Sequence, residues 1–155
     1  MSILALDIGG TKIAAGLIDD DGAVLQRFQQ PTPRDSAEAA WQVTAQLIGQ
    51  ALSAGPARAV GIASAGPVAL GAGTISPVNI AVWQDFPIVA RVAELTGLPA
   101  RLGGDGLCMA LGEHWRGAGR GAQFLLGMVV STGIGGGLVL DGAPYDGRTG
   151  NAGHI

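Results

Sequence analysis

The chain has 155 residues, with 9 basic and 12 acidic side chains, a formal net charge of −3 and only 14% charged residues. That balance offers no electrostatic case for a polyanionic partner, so no nucleic acid is expected. Glycine at 27 positions and proline at 8, scattered without a period, describe a globular chain with many tight turns, and the longest large-apolar run, residues 124–130, is far too short for a membrane helix, so no membrane partner is expected either.

Taken in chain order, residues 3–8 form an apolar run that ends at Gly9-Gly10, and residues 13–18 form a second. Together they read as a buried hairpin with a glycine tip. Asp21-Gly22 is a strong turn signal, and residues 23–29 mix apolar and polar side chains as an outer strand would, so the sheet opens with three antiparallel strands. Asp35 with Glu38 three residues later has capping-box spacing, and Ala37, Trp41, Thr44, Ile48 and Leu52 then recur at helical spacing until Gly55-Pro56. Residues 60–63 give a short buried strand, broken at Ser64-Ala65-Gly66-Pro67, and the glycine-rich stretch to Pro77 reads as a loop or small hairpin. Residues 87–95 read as a helix with proline in its first turn and Gly97 at its end.

Residues 100–103 are short and extended. Asp105 then opens a helix with Leu107, Leu111 and Trp115 on one face and Gly117 at its end. Trp41 and Trp115, on such apolar faces, are expected in the core, and Trp83 is expected to plug the domain. Residues 117–121 are the candidate hinge. Beyond them two apolar runs, 124–131 and 137–140, flank Thr132-Gly133-Ile134-Gly135-Gly136, a second hairpin with a glycine tip that repeats the opening.

Bare main-chain amides at a glycine tip can approach an anion without a Cβ in the way, and Thr11 adds a hydroxyl donor at the first tip. Asp7 ends an otherwise apolar strand, where a carboxylate calls for a cation, a hydrated metal or donor groups; Mg²⁺ on a nucleotide would answer it. A solvated aspartate beside a structural turn is the alternative for either tip alone, but two tips could grip a triphosphate from both ends. No Walker loop and no complete Gly-x-Gly-x-x-Gly fingerprint is present, which argues against parallel-sheet NTPases and Rossmann folds. Asp105 stands where a helix dipole and unpaired N–H groups favour negative charge, either as an ordinary N-cap or as a carboxylate placed to orient a hydroxyl and accept its proton. Cys108, His114 and His154 fit no zinc spacing, and a lone cysteine with no basic leader or apolar signal core ahead of the first strand fits a reducing, cytoplasmic setting.

Several motifs occur in the order expected of the ROK family (repressors, open reading frames and kinases). They are Asp7-Ile8-Gly9-Gly10-Thr11-Lys12, Gly61-Ile62-Ala63-Ser64-Ala65-Gly66-Pro67, Asn79 with Trp83, and Asp105 followed by Ala110-Leu111-Gly112-Glu113-His114-Trp115. Residues 131–136 and Gly150-Asn151-Ala152-Gly153 complete the series, so the chain resembles that family from end to end. The resemblance implies the sugar kinase, hexokinase and actin-like ATPase superfold. That is an α/β, ribonuclease-H-like domain with a mixed five-stranded sheet flanked by helices over residues 1–117, and the first hairpin of a second domain of the same type over 118–155. It implies ATP-dependent phosphorylation of a hexose or N-acetylhexosamine, with Asp105 as catalytic base. Asp7, Gly9, Gly10, Thr11 and Lys12 would form the first phosphate loop and Ser131, Thr132, Gly133, Gly135 and Gly136 the second, with Asp7 holding Mg²⁺ through water. Ser64, Ala65, Gly66, Asn79, Asn151 and His154 would join Asp105 on the sugar side. The implied partners are ATP, a sugar and a second copy of the chain in a dimer.

Two positions depart from the family pattern. Gly103-Gly104 stand where Glu-Asn is common, and His154 stands where Glu is common. A carboxylate accepts two hydroxyl hydrogen bonds and a neutral imidazole one, so sugar recognition is expected to differ from that of a glucokinase. The family continues beyond the counterpart of Ile155 with a cysteine-rich zinc segment, an adenosine-binding part and most of the second domain. The resemblance thus implies half a kinase, inactive alone, with no zinc site and an uncovered apolar hairpin face. The rival expectations are a non-catalytic sugar sensor, for which no DNA-reading segment precedes the loop at Asp7, and a degenerate sugar-binding remnant.

Overall fold

A computed structural model of the chain describes residues 1–130 and 134–153. β1 (Ser2–Ile8), β2 (Lys12–Ile18) and β3 (Val24–Pro31) form an antiparallel meander, and α1 (Ala37–Ala54) leads to β4 (Ala57–Ser64), which pairs parallel to β1. A small hairpin, β5 (Val68–Ala69) and β6 (Thr74–Ile75), precedes α2 (Ile88–Thr96) and β7 (Ala100–Gly104), which lies parallel beside β4. The result is a mixed five-stranded sheet in the order β3-β2-β1-β4-β7. After α3 (Asp105–Arg116), the strands β8 (Phe124–Val130), β9 (Ile134–Leu140) and β10 (Ala143–Tyr145) build a separate antiparallel sheet.

Alternation on β1 buries Leu4, Leu6 and Ile8 on one face, where they meet Ile13, Ala15 and Leu17 of β2 and Val60 and Ile62 of β4. α1 contributes a stripe of Ala40, Trp41, Thr44, Leu47, Ile48 and Ala51 at helical spacing. Each fully buried Leu or Ile here is worth about 1.5–3 kcal/mol over an exposed one. Thr44 lies in this core without penalty because its hydroxyl donates to Ala40 O at 2.9 Å.

The α1 cap falls one residue later than the Asp35–Glu38 spacing suggests. Ser36 is the N-cap, its Oγ accepting from Ala39 N–H at 3.0 Å, and Glu38 is instead ion-paired with Arg91 of α2 at 3.0 Å. A hydroxyl on the residue next to the helix satisfies an orphan amide, whereas Asp35 stands one position too far out to do so. Arg91 also lies 4.7 Å from the Trp41 ring centre, and Trp83, fully buried as expected, donates its Nε1–H to Ala37 O at 3.0 Å and stacks on Phe86. Together these contacts fasten α2 and the 80–86 segment to α1.

α3 joins the two sheets. Its first turns press main chain against main chain on β9: a Cβ on Gly106 would lie 2.5 Å from Gly136 O, one on Gly137 would strike Leu107 Cα, and one on Gly127 of β8 would lie 2.7 Å from Ala110 Cβ. Its last turn meets the β2–β3 turn rather than the core. Trp115 is therefore not buried as its helical position suggests: it is 50% exposed, lying over Gly22 under the Arg116 guanidinium at 4.6 Å. The opposite face of β8 presents Phe124, Leu126, Met128 and Val130 to solvent. Among the described residues no helix is long and apolar enough to cross a membrane.

Candidate active site

Ile8 of β1 lies level with Ser64 of β4, and Ser64 with Gly104 of β7. The carboxyl ends of three parallel strands thus deliver the first glycine tip, the 65–67 corner and Asp105 to one edge, where open α/β sheets bind ligands.

The first tip is a tight turn closed by Gly9 N–H donating to Lys12 O at 3.1 Å. Thr32, just past β3, braces it from below: its Oγ1 donates to Gly9 O at 2.6 Å and its N–H to Thr11 O at 3.0 Å. Nothing local marks Thr32 in the sequence, because the residues it supports lie a full hairpin away. Thr11 and Lys12 are exposed, and Gly10 abuts Asn79 so closely that any Cβ there would overlap the asparagine side chain. Asn79 therefore belongs beside the first tip.

Asp7 reaches solvent from a concave surround. Crowding by protein raises its pKa above the ordinary 3.8, the charge of Asp105 raises it further, and Lys12 and Arg27 pull it part of the way back. An aspartate whose pKa rises on folding holds its proton more tightly in the fold than in the unfolded chain. Its ionised form costs stability once pH exceeds the ordinary range, up to and beyond the raised value, and costs nothing below that range. Asp7→Asn is accordingly expected to raise Tm at pH 7, with the gain shrinking toward pH 4. A variant that melts below wild type at pH 7 would show that Asp7 is held by favourable contacts instead.

Asp105 is the first helical residue of α3; the N-cap position belongs to Gly104, which carries no side chain to cap with. Oδ1 of Asp105 accepts from Gly106 N–H at 2.7 Å, and Oδ2 has no protein partner among the described residues. The side chain is exposed at a cleft lined by Gly66, Gly104, Asp105, Gly106, Leu107, Gly135, Gly136, Gly150, Asn151 and Ala152. A Cβ on Gly104 would meet nothing within 4 Å, so the residue before Asp105 leaves space rather than filling it.

The structure thus brings Asp105, Gly66, Asn151, Gly135 and Gly136 together, with Asp7, Gly9, Gly10, Thr11, Lys12 and Asn79 alongside. Gly135 and Gly136, expected in the second tip, lie inside β9, opposite Val129 and Met128 respectively. Ser64, expected on the sugar side, is fully buried and donates its hydroxyl to Ala65 O at 2.9 Å, shaping the corner from within. The Ala65 N–H donates to Ile8 O at 3.1 Å, which ties that corner to β1. The candidate residues Ser131, Thr132, Gly133 and His154 lie outside the described residues.

The model of the ROK family matches residues 3–155, and the chain belongs to that family. It is 37% identical over its whole length to an N-acetylmannosamine kinase of Citrobacter koseri, covering 53% of that protein. It is 33% identical over 96% of its length to an N-acetyl-D-glucosamine kinase of Escherichia coli, covering 50% of it. Among solved structures it superposes on a ROK hexokinase from Thermus thermophilus with a TM-score of 0.90 and 39% identity, over 99% of this chain and 52% of the other. A ROK glucokinase from Streptomyces griseus in complex with glucose and AMPPNP gives 0.91 and 32%, over 99% and 49%. The fold is therefore the actin-like, ribonuclease-H-like α/β arrangement that the sequence resemblance implied, and the chain spans about half the length of the relatives it matches.

Proposed function

We propose that these residues carry the first phosphate loop, the catalytic base and part of the sugar wall of an ATP-dependent kinase for a hexose or N-acetylhexosamine. The observation that carries this reading is the cleft that Asp105 lines together with Gly135 and Gly136 of β9, Gly66 and Asn151. Phosphoryl transfer through a loose transition state asks the protein for alignment and for stabilisation of spreading charge. In this reading Asp105 aligns the attacking hydroxyl and takes its proton, the N–H groups of the first tip stabilise the phosphate oxygens, and Ser131, Thr132, Gly133, Gly135 and Gly136 are assigned the same role. Lys12 adds positive charge beside the first tip.

Mg²⁺ fits the residues present. Asp7 is a carboxylate whose negative charge is opposed by its surroundings and by Asp105, and a hydrated cation would relieve that opposition. Asp7 would hold the ion through water, and the ion would supply charge neutralisation for the phosphates. The space beside Gly104 favours a hexose bearing a substituent, in keeping with the names of the N-acetylhexosamine kinase relatives. His154 and Asn79 complete the sugar-side assignment. Residues 1–117 are read as one domain and 118–155 as the beginning of a second, in a cytoplasmic protein that pairs as a dimer.

The test is ATP consumption by the full-length protein against glucose, mannose, N-acetylglucosamine and N-acetylmannosamine, with product mass confirming transfer. Turnover with at least one sugar is expected. Binding of a sugar without any ATP consumption would establish a sensor in place of a kinase.

A further inference from the structure

We propose that Asn151 is a positioning residue whose side chain splices the 149–153 segment onto Val68, fixing the distance between the sugar-side wall and the glycines of β9. This rests on the kinase reading of the cleft. The Asn151 amide behaves as an extra peptide unit: Oδ1 accepts from Val68 N–H at 2.9 Å and Nδ2 donates to Val68 O at 2.9 Å. This is the reciprocal exchange that defines a hydrogen-bonded pair in an antiparallel ladder. The second Nδ2 hydrogen goes to Thr149 O at 3.0 Å. A primary amide has two donors, and both are spent, so Asn151 has no N–H to offer a sugar hydroxyl.

The same segment is pinned on either side of this splice. Gly150 takes φ +84° with its Cα turned onto Leu70, where a Cβ would lie 2.8 Å from Cγ. Gly153 takes φ +92° against β9, where a Cβ would lie 2.6 Å from Gly136 O and 3.0 Å from Gly137 N. Both positions need the left-handed backbone and the absence of a side chain at once. The wall that receives the splice is itself braced, with Ser76 N–H donating to Pro67 O at 3.0 Å and Val78 N–H to Gly66 O at 3.1 Å. Residues 150–153 thus form a strut from the 66–70 wall to the backbone of β9, with Asp105 facing the gap it sets. Removing the amide frees one end of the strut and leaves two main-chain groups of Val68 unpaired.

The test uses the full-length protein with Asn151→Ala and with the near-isosteric Asn151→Asp, which sets an oxygen against Val68 O. Calorimetry with glucose, N-acetylglucosamine and N-acetylmannosamine, and separately with the ATP analogue AMPPNP, reads the two sides of the cleft. Hydrogen exchange reads the Val68 amide. Both variants are expected to raise the sugar Kd at least tenfold, to leave the AMPPNP Kd within about threefold, and to speed Val68 exchange at least tenfold with exchange in β1 and β4 unchanged. Sugar affinity within twofold of wild type, equal losses for sugar and nucleotide, or an unaltered Val68 exchange rate would each overturn the proposal. If wild type binds none of these three sugars nor mannose, the kinase reading fails and the positioning role falls with it; an unaltered exchange rate with sugar binding intact removes the positioning role alone.

Discussion

Asp105→Asn in the full-length protein is expected to lower kcat by about 10²–10⁴-fold, the range spanned by a general base, with sugar KM within a few-fold. The amide keeps an oxygen at Oδ1 to accept the Gly106 N–H bond, so the first turn of α3 retains its partner and the fold is not at issue. What disappears is the second carboxylate oxygen, the proton acceptor in the proposed mechanism. A second readout comes from Asp7, whose pKa is raised in part by the Asp105 charge and should fall when that charge is removed. The pH profile of Mg²⁺-dependent nucleotide binding would then move to lower pH. A variant with most of its turnover intact would end the assignment of Asp105 as the base.

Gly137→Ala is expected to be the most damaging glycine-to-alanine change among the described residues, costing about 3 kcal/mol or separating α3 from β9 altogether. The added Cβ would overlap Leu107 Cα and come within 2.7 Å of Leu107 N and 2.9 Å of Gly106 O. All three are main-chain atoms of a helix, so no rotamer change can clear them. Gly135, two residues earlier in the same strand, has nothing within 4 Å of its Cβ position, and Gly135→Ala is expected to shift stability by less than about 0.5 kcal/mol. Urea midpoints for the pair decide the matter. Equal midpoints would mean that α3 and β9 do not meet backbone to backbone.

The parts of the molecule legible in the sequence are those whose cause is local. The hairpins at Gly9-Gly10 and beyond Val130, the stripe on α1 and the glycine stop after α2 all follow from periodicity and turn chemistry within a few residues, and the structure has them. The first tip and Asp105 were legible as a pair because motif order tied them together, and the level strand ends place them at one edge. Where competing local signals were close in strength, position slipped: Ser36 caps in place of Asp35, and β9 takes in Gly135 and Gly136. The misreading of Trp115 has a different origin. Helical spacing states which residues share a face but not where along the helix the neighbouring sheet stops. Thr32 was beyond reach for a third reason, and so was the pairing of Asn151 with Val68, although Asn151 itself was marked by its motif: these hydrogen bonds close loops of 23 and 83 residues and leave no periodic trace.

Of the three tryptophans, Trp41 on the inner face of α1 and Trp83 packed against that helix are buried, while Trp115 stands half in water at the far end of α3. The molecule therefore carries its own optical gauge: iodide or acrylamide quenches the emission of one indole and spares the other two. Because that indole rests on the turn after β2 while the opposite end of its helix bears Asp105, the quenchable fraction reports from outside the cleft whether the rod carrying the acid is seated.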